Sequence, residues 1–216
     1  MKQWYDLSVT YRAGMPEAAG HEKISLEGRV SGLSGSHITQ INMNSHSGTH
    51  LDAPCHYLCD RTTIDRIPLE KFTGDAIVID LEKGDLEPIT IRDIEPYKKE
   101  IEQAEVLFIR TGWEERWGDE EYTWKYPYIS KGLAEYVSSM EIKIFGTDTI
   151  SPDPSFKSGL REGSPVHIEL LSHDILIIEN LTNLKSVIGK RIQVFAFPLK
   201  FLEGDGSPTR VVACEI

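Results

Sequence analysis

Three histidines and one aspartate lie within residues 46–56, which read His-Ser-Gly-Thr-His-Leu-Asp-Ala-Pro-Cys-His. Imidazole nitrogens and carboxylate oxygens are the ligands that divalent cations such as zinc and manganese take in proteins. A further histidine beside such ligands can carry protons in a metal-dependent hydrolysis. The segment therefore predicts a metal site with hydrolytic chemistry. It lacks the His-Glu-x-x-His pattern, which excludes the zinc proteases that use it.

The spacing within this segment favours a strand over a helix. Its four ionisable side chains all occupy even positions: His46, His50, Asp52 and His56. Successive side chains of a strand alternate between its faces, so all four would project the same way. On a helix, at about 100° per residue, only the first two would align. A lone histidine is more often a hydrogen-bonded core residue, but four convergent donors favour a ligand set. We predict a strand running into an irregular turn, with its polar face lining a cavity.

Two residues far along the chain could complete such a site. Glu179 ends the apolar run 175–178, and a carboxylate there is costly to bury unless it is paired or coordinated. His167 lies in the first turns of a helix predicted from Ser164 to Ser172, and we consider it the nitrogen partner of Glu179 at a second metal. Surface or core-capping roles for these two residues remain open from spacing alone. The remaining histidines are interpreted as structural: His21, His37 and His173.

Short apolar runs alternate with helical segments along the whole chain. The predicted strands cover residues 76–81, 106–109, 142–145, 175–178 and 193–197. The predicted helices cover residues 90–103, 130–140 and 164–172, the last with Ser164 as N-cap and Pro165 in the first turn. This alternation indicates an α/β fold with a mixed sheet. A length of 216 residues suits one domain over residues 1–216.

Two further segments allow more than one interpretation. Gly204–Pro208 lacks the Lys-Ser/Thr ending of a phosphate-binding loop and is predicted to be a tight turn, which could also carry a subunit contact or approach the site. Aromatic residues are dense between positions 110 and 128, where they could wall a pocket, pack beneath a long loop or pack at a dimer contact. The candidate substrate contacts in that stretch are Trp113, Trp117 and Tyr126.

Composition excludes several classes of function. A net charge of −11 disfavours non-specific nucleic-acid binding, which needs a cationic surface. No apolar stretch is long enough for a membrane helix, and the N-terminal segment does not resemble a signal peptide. The sparse set of Cys55, Cys59 and Cys214 is typical of a reducing compartment, so we expect a cytoplasmic protein. Cys55 occupies an odd position, so on a strand it would project to the opposite face from His46, His50 and His56. This favours a packing role for Cys55.

The segment 46–56 resembles the His-x-Gly-Thr-His-x-Asp-x-Pro-x-His signature of the cyclase family, which includes bacterial kynurenine formamidase and isatin hydrolase. The likeness continues through other short motifs: Tyr5–Ser8, Gly14–Pro16, Arg110–Trp113, Gly146–Thr149, Ile177–Leu181, Pro198–Lys200 and Asp205–Pro208. The resemblance implies a swivelling β/β/α fold around a mixed sheet. It also implies a homodimer or higher homo-oligomer with sites near the subunit contact.

The resemblance assigns a role to each candidate residue. His46, His50 and Asp52 would bind one metal, and Asp52 would bridge to a second metal bound by His167 and Glu179. His56 would be the acid/base residue rather than a ligand. The implied cofactors are two divalent ions, with zinc favoured and manganese as the alternative.

The implied reaction is hydrolysis of a small amide or formamide by metal-activated hydroxide. N-formylkynurenine, the arylformamidase substrate of tryptophan catabolism, is the best single candidate. Isatin-type lactam opening or a related cyclase reaction is the alternative among enzymes, and a non-catalytic metal- or ligand-binding protein is the alternative from another class. One departure bears on the substrate: kynurenine formamidases carry a tryptophan just after an N-terminal proline, whereas Pro16 is followed here by Glu17-Ala18-Ala19.

Overall fold

A nine-stranded mixed sheet forms the centre of the protein in a computed structural model, which describes residues 2–216. The strands are β1 Trp4–Asp6, β2 Ser25–Val30, β3 His37–Asn42, β4 His50–Asp52, β5 Thr73–Asp80, β6 Pro88–Ile89, β7 Val106–Arg110, β8 Tyr128–Ile129, β9 Ile144–Thr147, β10 Leu176–Glu179, β11 Ile192–Phe195, β12 Gly206–Pro208 and β13 Val212–Glu215. The central sheet has the order β1-β13-β11-β5-β7-β9-β10-β4-β12. The four strands β5, β7, β9 and β10 are parallel, and every other pairing in this sheet is antiparallel.

The predicted strands and the predicted mixed α/β fold are confirmed. All five predicted strands are present, as β5, β7, β9, β10 and β11, with ends that differ from the prediction by at most three residues. Two smaller sheets, β2 with β3 and β6 with β8, lie outside the central one.

Helices cover less of the chain than the sequence predicts. They are α1 Ile91–Ile94, α2 Lys98–Ile101, α3 Lys131–Ser138 and α4 Pro165–Ser172. The prediction of one helix over 90–103 is wrong, because Pro96 lies in a 3-10 turn, Glu95–Tyr97, that separates α1 from α2. The helix predicted over 130–140 is confirmed as α3, whose N-cap Ser130 accepts a hydrogen bond from Leu133 N. No helix within residues 2–216 is long and apolar enough to cross a membrane.

Strand alternation divides the core into two layers. Along β5, Ala76 and Val78 join a cluster on one face of the sheet, whereas Ile79 joins a cluster on the other. The second cluster includes Leu133 of α3 and Leu170 of α4, so these helices cover that face. A sheet buried on both faces explains why its parallel strands read as continuous apolar runs.

Candidate metal centre

His50 and Asp52 lie on β4, but His46 and His56 do not. Strand β4 covers three residues; His46 lies in the preceding turn, and His56 ends the 3-10 helix Pro54–His56. Gly48, in the turn, has a φ of +60°, a conformation that glycine adopts without a side-chain clash. The predicted strand is therefore confined to β4, and irregular chain on both sides of it brings the outer two histidines to the site.

Pairing of β4 with β10 explains how Glu179 reaches the same place. The two strands are antiparallel, and Glu179 lies directly opposite His50. Directly opposed residues project to the same side of a sheet. Leu51 and Ile178 point into the apolar cluster on the other face, which leaves the polar face to their neighbours. On that face, His50 Nε2 lies 3.3 Å from Asp52 Oδ1 and 3.3 Å from Glu179 Oε2.

Helix α4 carries His167 to this polar face. Its Nε2 lies 3.1 Å from Glu179 Oε1 and 3.6 Å from Asp52 Oδ2. His167 is only 3% exposed, so its ring is enclosed with the two carboxylates. Residues from β4, β10 and α4, more than a hundred positions apart in sequence, thus meet in one cluster.

Asp153, which sequence reasoning missed, fixes the position of α4 and of the His167 ring. Its carboxylate accepts hydrogen bonds from the backbone N–H groups of Val166 and His167, at 3.0 and 3.1 Å. It also lies 2.6 Å from His167 Nδ1. The predicted capping role of Ser164 is wrong, because its side chain makes no cap hydrogen bond and the first turn is bonded by Asp153 instead.

Hydrogen-bond acceptors orient both of the buried imidazole rings. His50 Nδ1 lies 2.8 Å from Gly48 O, and a carbonyl oxygen can only accept, so Nδ1 is the donor. His167 Nδ1 likewise donates to Asp153. In both rings Nε2 faces the carboxylates, which is the arrangement that metal-binding histidines commonly show.

A second carboxylate missed at this site, Asp205, lies between His46 and His56. Its Oδ2 atom is 3.0 Å from His46 Nε2 and 3.5 Å from His56 Nδ1, and its Oδ1 atom accepts from Ser45 Oγ at 2.9 Å. The prediction of a simple tight turn over Gly204–Pro208 is wrong, because its last three residues form β12, which pairs with β4. The open alternative, that this segment approaches the site, is the one observed.

Gly206 leaves the space that the His46 ring occupies. A Cβ atom at Gly206 would lie 2.6 Å from His46 Cε1 and 2.9 Å from Leu51 O. Both distances are shorter than normal carbon contacts, and the second involves backbone that cannot move freely. The glycine is therefore required for the position of His46 beside β12.

Two carboxylates of the cluster are buried without a permanent cation. Asp52 is 0% exposed and Glu179 is 6% exposed. Within residues 2–216, their ion-pair partners within 4.0 Å are all histidines. Asp52 Oδ2 and His50 Nε2 are also buried without a hydrogen-bond partner. Because buried charges and unpaired polar atoms are costly, this set of nitrogen and oxygen donors fits a divalent metal ion.

The same carboxylates favour positive charge on His50 and His167. Burial alone would lower the pKa of His50, but attraction to the carboxylates of Asp52 and Glu179, each 3.3 Å from its Nε2, raises it to about 10. Burial is likewise outweighed at His167, whose pKa lies well above its ordinary value because of Asp153, Glu179 and Asp52. Metal ligation needs the unprotonated imidazole, so cation binding here would displace protons and weaken as the pH falls.

Three sets of side chains bring one ligand atom each within 4.8 Å of one another: His46, His50 and Asp52; Asp52, His56 and His167; His46, His56 and Asp205. The first set is the one that the sequence predicts. The second holds His56 where the resemblance implies Glu179, although Glu179 itself contacts both His50 and His167. His56 therefore lies beside the proposed ligands, where a group that moves protons is needed.

A cavity of about 140 Å³ opens onto this cluster. Of the three predicted substrate contacts, Tyr126 lines the cavity, whereas Trp113 and Trp117 do not. Trp113 is 2% exposed and its Nε1 donates to Tyr122 O at 2.9 Å. Trp117 packs against the same aromatic cluster. These two tryptophans therefore pack beneath the loop, as the alternative interpretation expected, and a role for them in substrate binding stays a prediction.

The N-terminal segment supplies another wall of the cavity. Ala18 and Ala19 line it at the position where the resemblance departs from kynurenine formamidases. His21, interpreted as structural, also lines it, with its ring centroid 6.4 Å from that of His46. The other two histidines interpreted as structural, His37 on β3 and His173 after α4, are exposed.

The chain is similar to several known proteins. The family model that matches is described as putative cyclase and covers residues 5–154. A kynurenine formamidase from Erythrobacter litoralis is 30% identical over 98% of this chain and 94% of its own. Isatin hydrolase A from Labrenzia aggregata, solved with benzyl benzoate, superposes with a TM-score of 0.88 at 25% identity, covering 99% of this chain and 94% of that one. A protein from Bacillus stearothermophilus, described as a predicted metal-dependent hydrolase, superposes with a TM-score of 0.81 at 25% identity over all of both chains.

Proposed function

The chain belongs to the cyclase family, and from that membership we propose that it is a metal-dependent hydrolase of the carbon–nitrogen bond of a small amide. N-formylkynurenine is the best single substrate, in keeping with the formamidase relative. The observation that carries the proposal is the convergence of His50, Asp52, His167 and Glu179 in one buried cluster beside a cavity.

We propose that this cluster holds two divalent ions. His46, His50 and Asp52 would hold one, and Asp52, His167 and Glu179 would hold the other. Nitrogen and oxygen donors suit zinc and manganese alike, and zinc is favoured by the family resemblance. When bound, a divalent ion lowers the pKa of water and polarises a carbonyl group.

His56 is suited to carry the proton in this reaction. Its side chain is 22% exposed, against 9% for His46 and 2% for His50, so it can exchange protons with the cavity. Asp205 lies 3.5 Å from His56 Nδ1, and hydrogen bonds from His46 and His56 hold the pKa of Asp205 well below its ordinary value. The ionised Asp205 can therefore orient the His56 ring, and His56 can donate a proton to the departing nitrogen.

We further propose that two copies of the chain associate through the hairpin formed by β2 and β3. Every residue of β3 is exposed, and the apolar side chains Val30, Ile38 and Ile41 are 63%, 53% and 49% exposed. An isolated two-stranded hairpin is at best marginally stable in water, so a covering partner would stabilise it. Light scattering on the purified protein should give the mass of a dimer, and a monomer at micromolar concentration would contradict this.

The hydrolase proposal is tested by comparing His56→Ala with His173→Ala, which removes an exposed histidine away from the cavity. Each variant is assayed with N-formylkynurenine, formanilide and isatin, and its metal content is measured. We expect His56→Ala to retain metal and to lose about 10²–10⁴-fold in kcat, as for a lost acid/base residue. His173→Ala should match the unmodified protein. A metal-loaded protein that hydrolyses none of the three compounds would favour the non-catalytic binding protein instead.

A further inference from the structure

Arg161 lies on the wall of the cavity and has no carboxylate partner. Within residues 2–216, no Asp or Glu oxygen lies within 4.0 Å of its guanidinium, whereas Arg110 and Arg116 each pair with several. The chain carries a net charge of −11, so carboxylates are abundant, yet none within the described residues pairs with Arg161. Its charge is free to act on whatever occupies the cavity.

Neutral groups hold the Arg161 side chain in place. Its Nε donates to Gly163 O at 2.7 Å, and its Nη2 donates to Tyr57 Oη at 3.1 Å and to Ser164 Oγ. The guanidinium carbon also lies 4.0 Å from the ring centroid of Phe156. These contacts fix the orientation of the guanidinium without neutralising it. Within residues 2–216, its Nη1 has no hydrogen-bond partner, so the N–H groups of Nη1 can donate to a ligand.

Two groups of side chains with different chemical character line the same cavity. One is Glu179 with His46, His56 and His167, the cluster proposed to hold the metal ions. The other is Arg161 with Tyr57, Ser155 and Phe156. Tyr57 connects the two groups, because its ring centroid lies 4.7 Å from that of His167 and its Oη accepts from Arg161. A ligand whose reacting carbonyl lies at the first group can therefore present another of its groups to the guanidinium. A planar guanidinium binds carboxylates through paired hydrogen bonds, and a positioned one favours them strongly.

We propose that Arg161 binds a carboxylate of the substrate, so that the enzyme selects amides that bear a carboxylate over amides that lack one. The inference rests on the proposed hydrolase function and deepens it by naming a group that the substrate carries. N-formylkynurenine bears a carboxylate remote from its formamide group, whereas isatin and formanilide bear none. The proposal thus separates the amino-acid formamide from the neutral lactam as natural substrate.

The test uses two substrates that differ only in this charge: N-formylkynurenine and its carboxamide, in which the carboxylate is replaced by a neutral amide. The measured quantity is the ratio of kcat/KM for the acid to kcat/KM for the carboxamide. Arg161→Gln should lower this ratio about 10- to 100-fold, the range expected for a lost hydrogen bond between charged groups. Arg161→Lys, which keeps the charge, should lower it less.

Lys157→Gln provides the matched control. Lys157 is also a cation of this region, but its Nζ lies 4.3 Å from the Trp124 ring centroid and it does not line the cavity. Its removal should leave the ratio unchanged. An equal loss on both substrates in Arg161→Gln would show a merely structural role and overturn the proposal.

A binding measurement tests the contact with Arg161 even if the hydrolase proposal fails. If the unmodified protein cleaves neither substrate, calorimetry with the product kynurenine and with its carboxamide still reports the contact. The proposal predicts that kynurenine binds the unmodified protein more tightly than its carboxamide does, and that Arg161→Gln removes this preference. A preference that survives in the variant, or is absent from the unmodified protein, would overturn the proposal.

Discussion

Replacing Asp153 by asparagine should weaken metal binding although Asp153 is not itself a proposed ligand. The carboxylate is fully buried and uses both oxygens, one for Val166 N and the other for His167 N and Nδ1. An amide of the same size has only one acceptor oxygen. Either the α4 backbone or the His167 ring must therefore face an N–H group instead of an acceptor.

The size of the effect follows from the contact between Asp153 and His167 Nδ1. At 2.6 Å it is a short hydrogen bond to a charged group, and such bonds contribute about 1.5–3 kcal/mol. At about 1.4 kcal/mol for each factor of ten, its loss corresponds to roughly 10- to 100-fold in metal affinity. Measured losses of such supporting groups around metals fall in the same range of about 10- to 100-fold.

Metal affinity is measured by titration against a chromogenic chelator, with zinc and manganese separately. Ser164→Ala is the control, because Ser164 occupies the N-cap position of α4 but makes no cap hydrogen bond. We expect a weaker metal complex in Asp153→Asn and an unchanged one in Ser164→Ala. Equal affinities in the two variants would refute the orienting role of Asp153 and weaken the assignment of His167 as a ligand.

Three further predictions follow from single contacts. Asp205→Asn should reduce kcat about tenfold or more with the metal retained, by analogy with other orienting groups; loss of metal would make Asp205 a ligand. Gly206→Ala places a methyl group against His46 and should lower stability by about 1–3 kcal/mol and weaken metal binding, whereas Gly132→Ala, where a Cβ meets nothing within 4 Å, should do neither. Burial raises the pKa of Asp148 to about 6, above its value of about 3.9 in an unfolded chain, so its contribution to stability is present below pH 4 and is lost as the pH rises through 6. The free energy of urea unfolding of Asp148→Asn relative to the unmodified protein should rise by about 2 kcal/mol from pH 4 to pH 7, and a constant difference would contradict this.

Local pattern made the signature segment predictable. Alternation between polar and apolar residues holds over β4, where Leu51 enters the core and His50 and Asp52 face the site. It fails on either side, because Gly48 and Pro54 belong to a turn and a 3-10 helix. In these irregular segments the positions of side chains depend on tertiary contacts, which spacing does not encode.

Glu179 and His167 were accessible by a different argument. A carboxylate at the end of an apolar strand needs a partner, and the sequence places a histidine on the preceding helix. Asp153 and Asp205 offered no comparable signal, because each lies in a loop without periodicity and contacts partners far along the chain. A residue that caps helices poorly at position 164 would have suggested that another side chain bonds the first turn of α4. Serine is instead among the residues favoured at an N-cap, so the sequence gives no reason to look for Asp153.

The aromatic residues between positions 110 and 128 show that the sequence also does not reveal which side chains line the cavity. Trp113 and Tyr126 lie in one segment and are equally buried, yet only Tyr126 reaches the cavity. The difference arises because the Trp113 indole donates to Tyr122 O within its own loop. Composition alone cannot distinguish an aromatic residue that closes a loop from one that lines a pocket.

The central claim is that divalent metal held by the histidine and carboxylate cluster is required for amide hydrolysis. The most direct test is elemental analysis of the purified protein together with its turnover of N-formylkynurenine before chelation, after chelation and after metal is restored. We predict up to two zinc or manganese ions per chain, loss of activity in parallel with loss of metal, and recovery when metal is returned. Asp52→Asn should bind little metal and should not recover. Full activity in the metal-free protein would contradict the account.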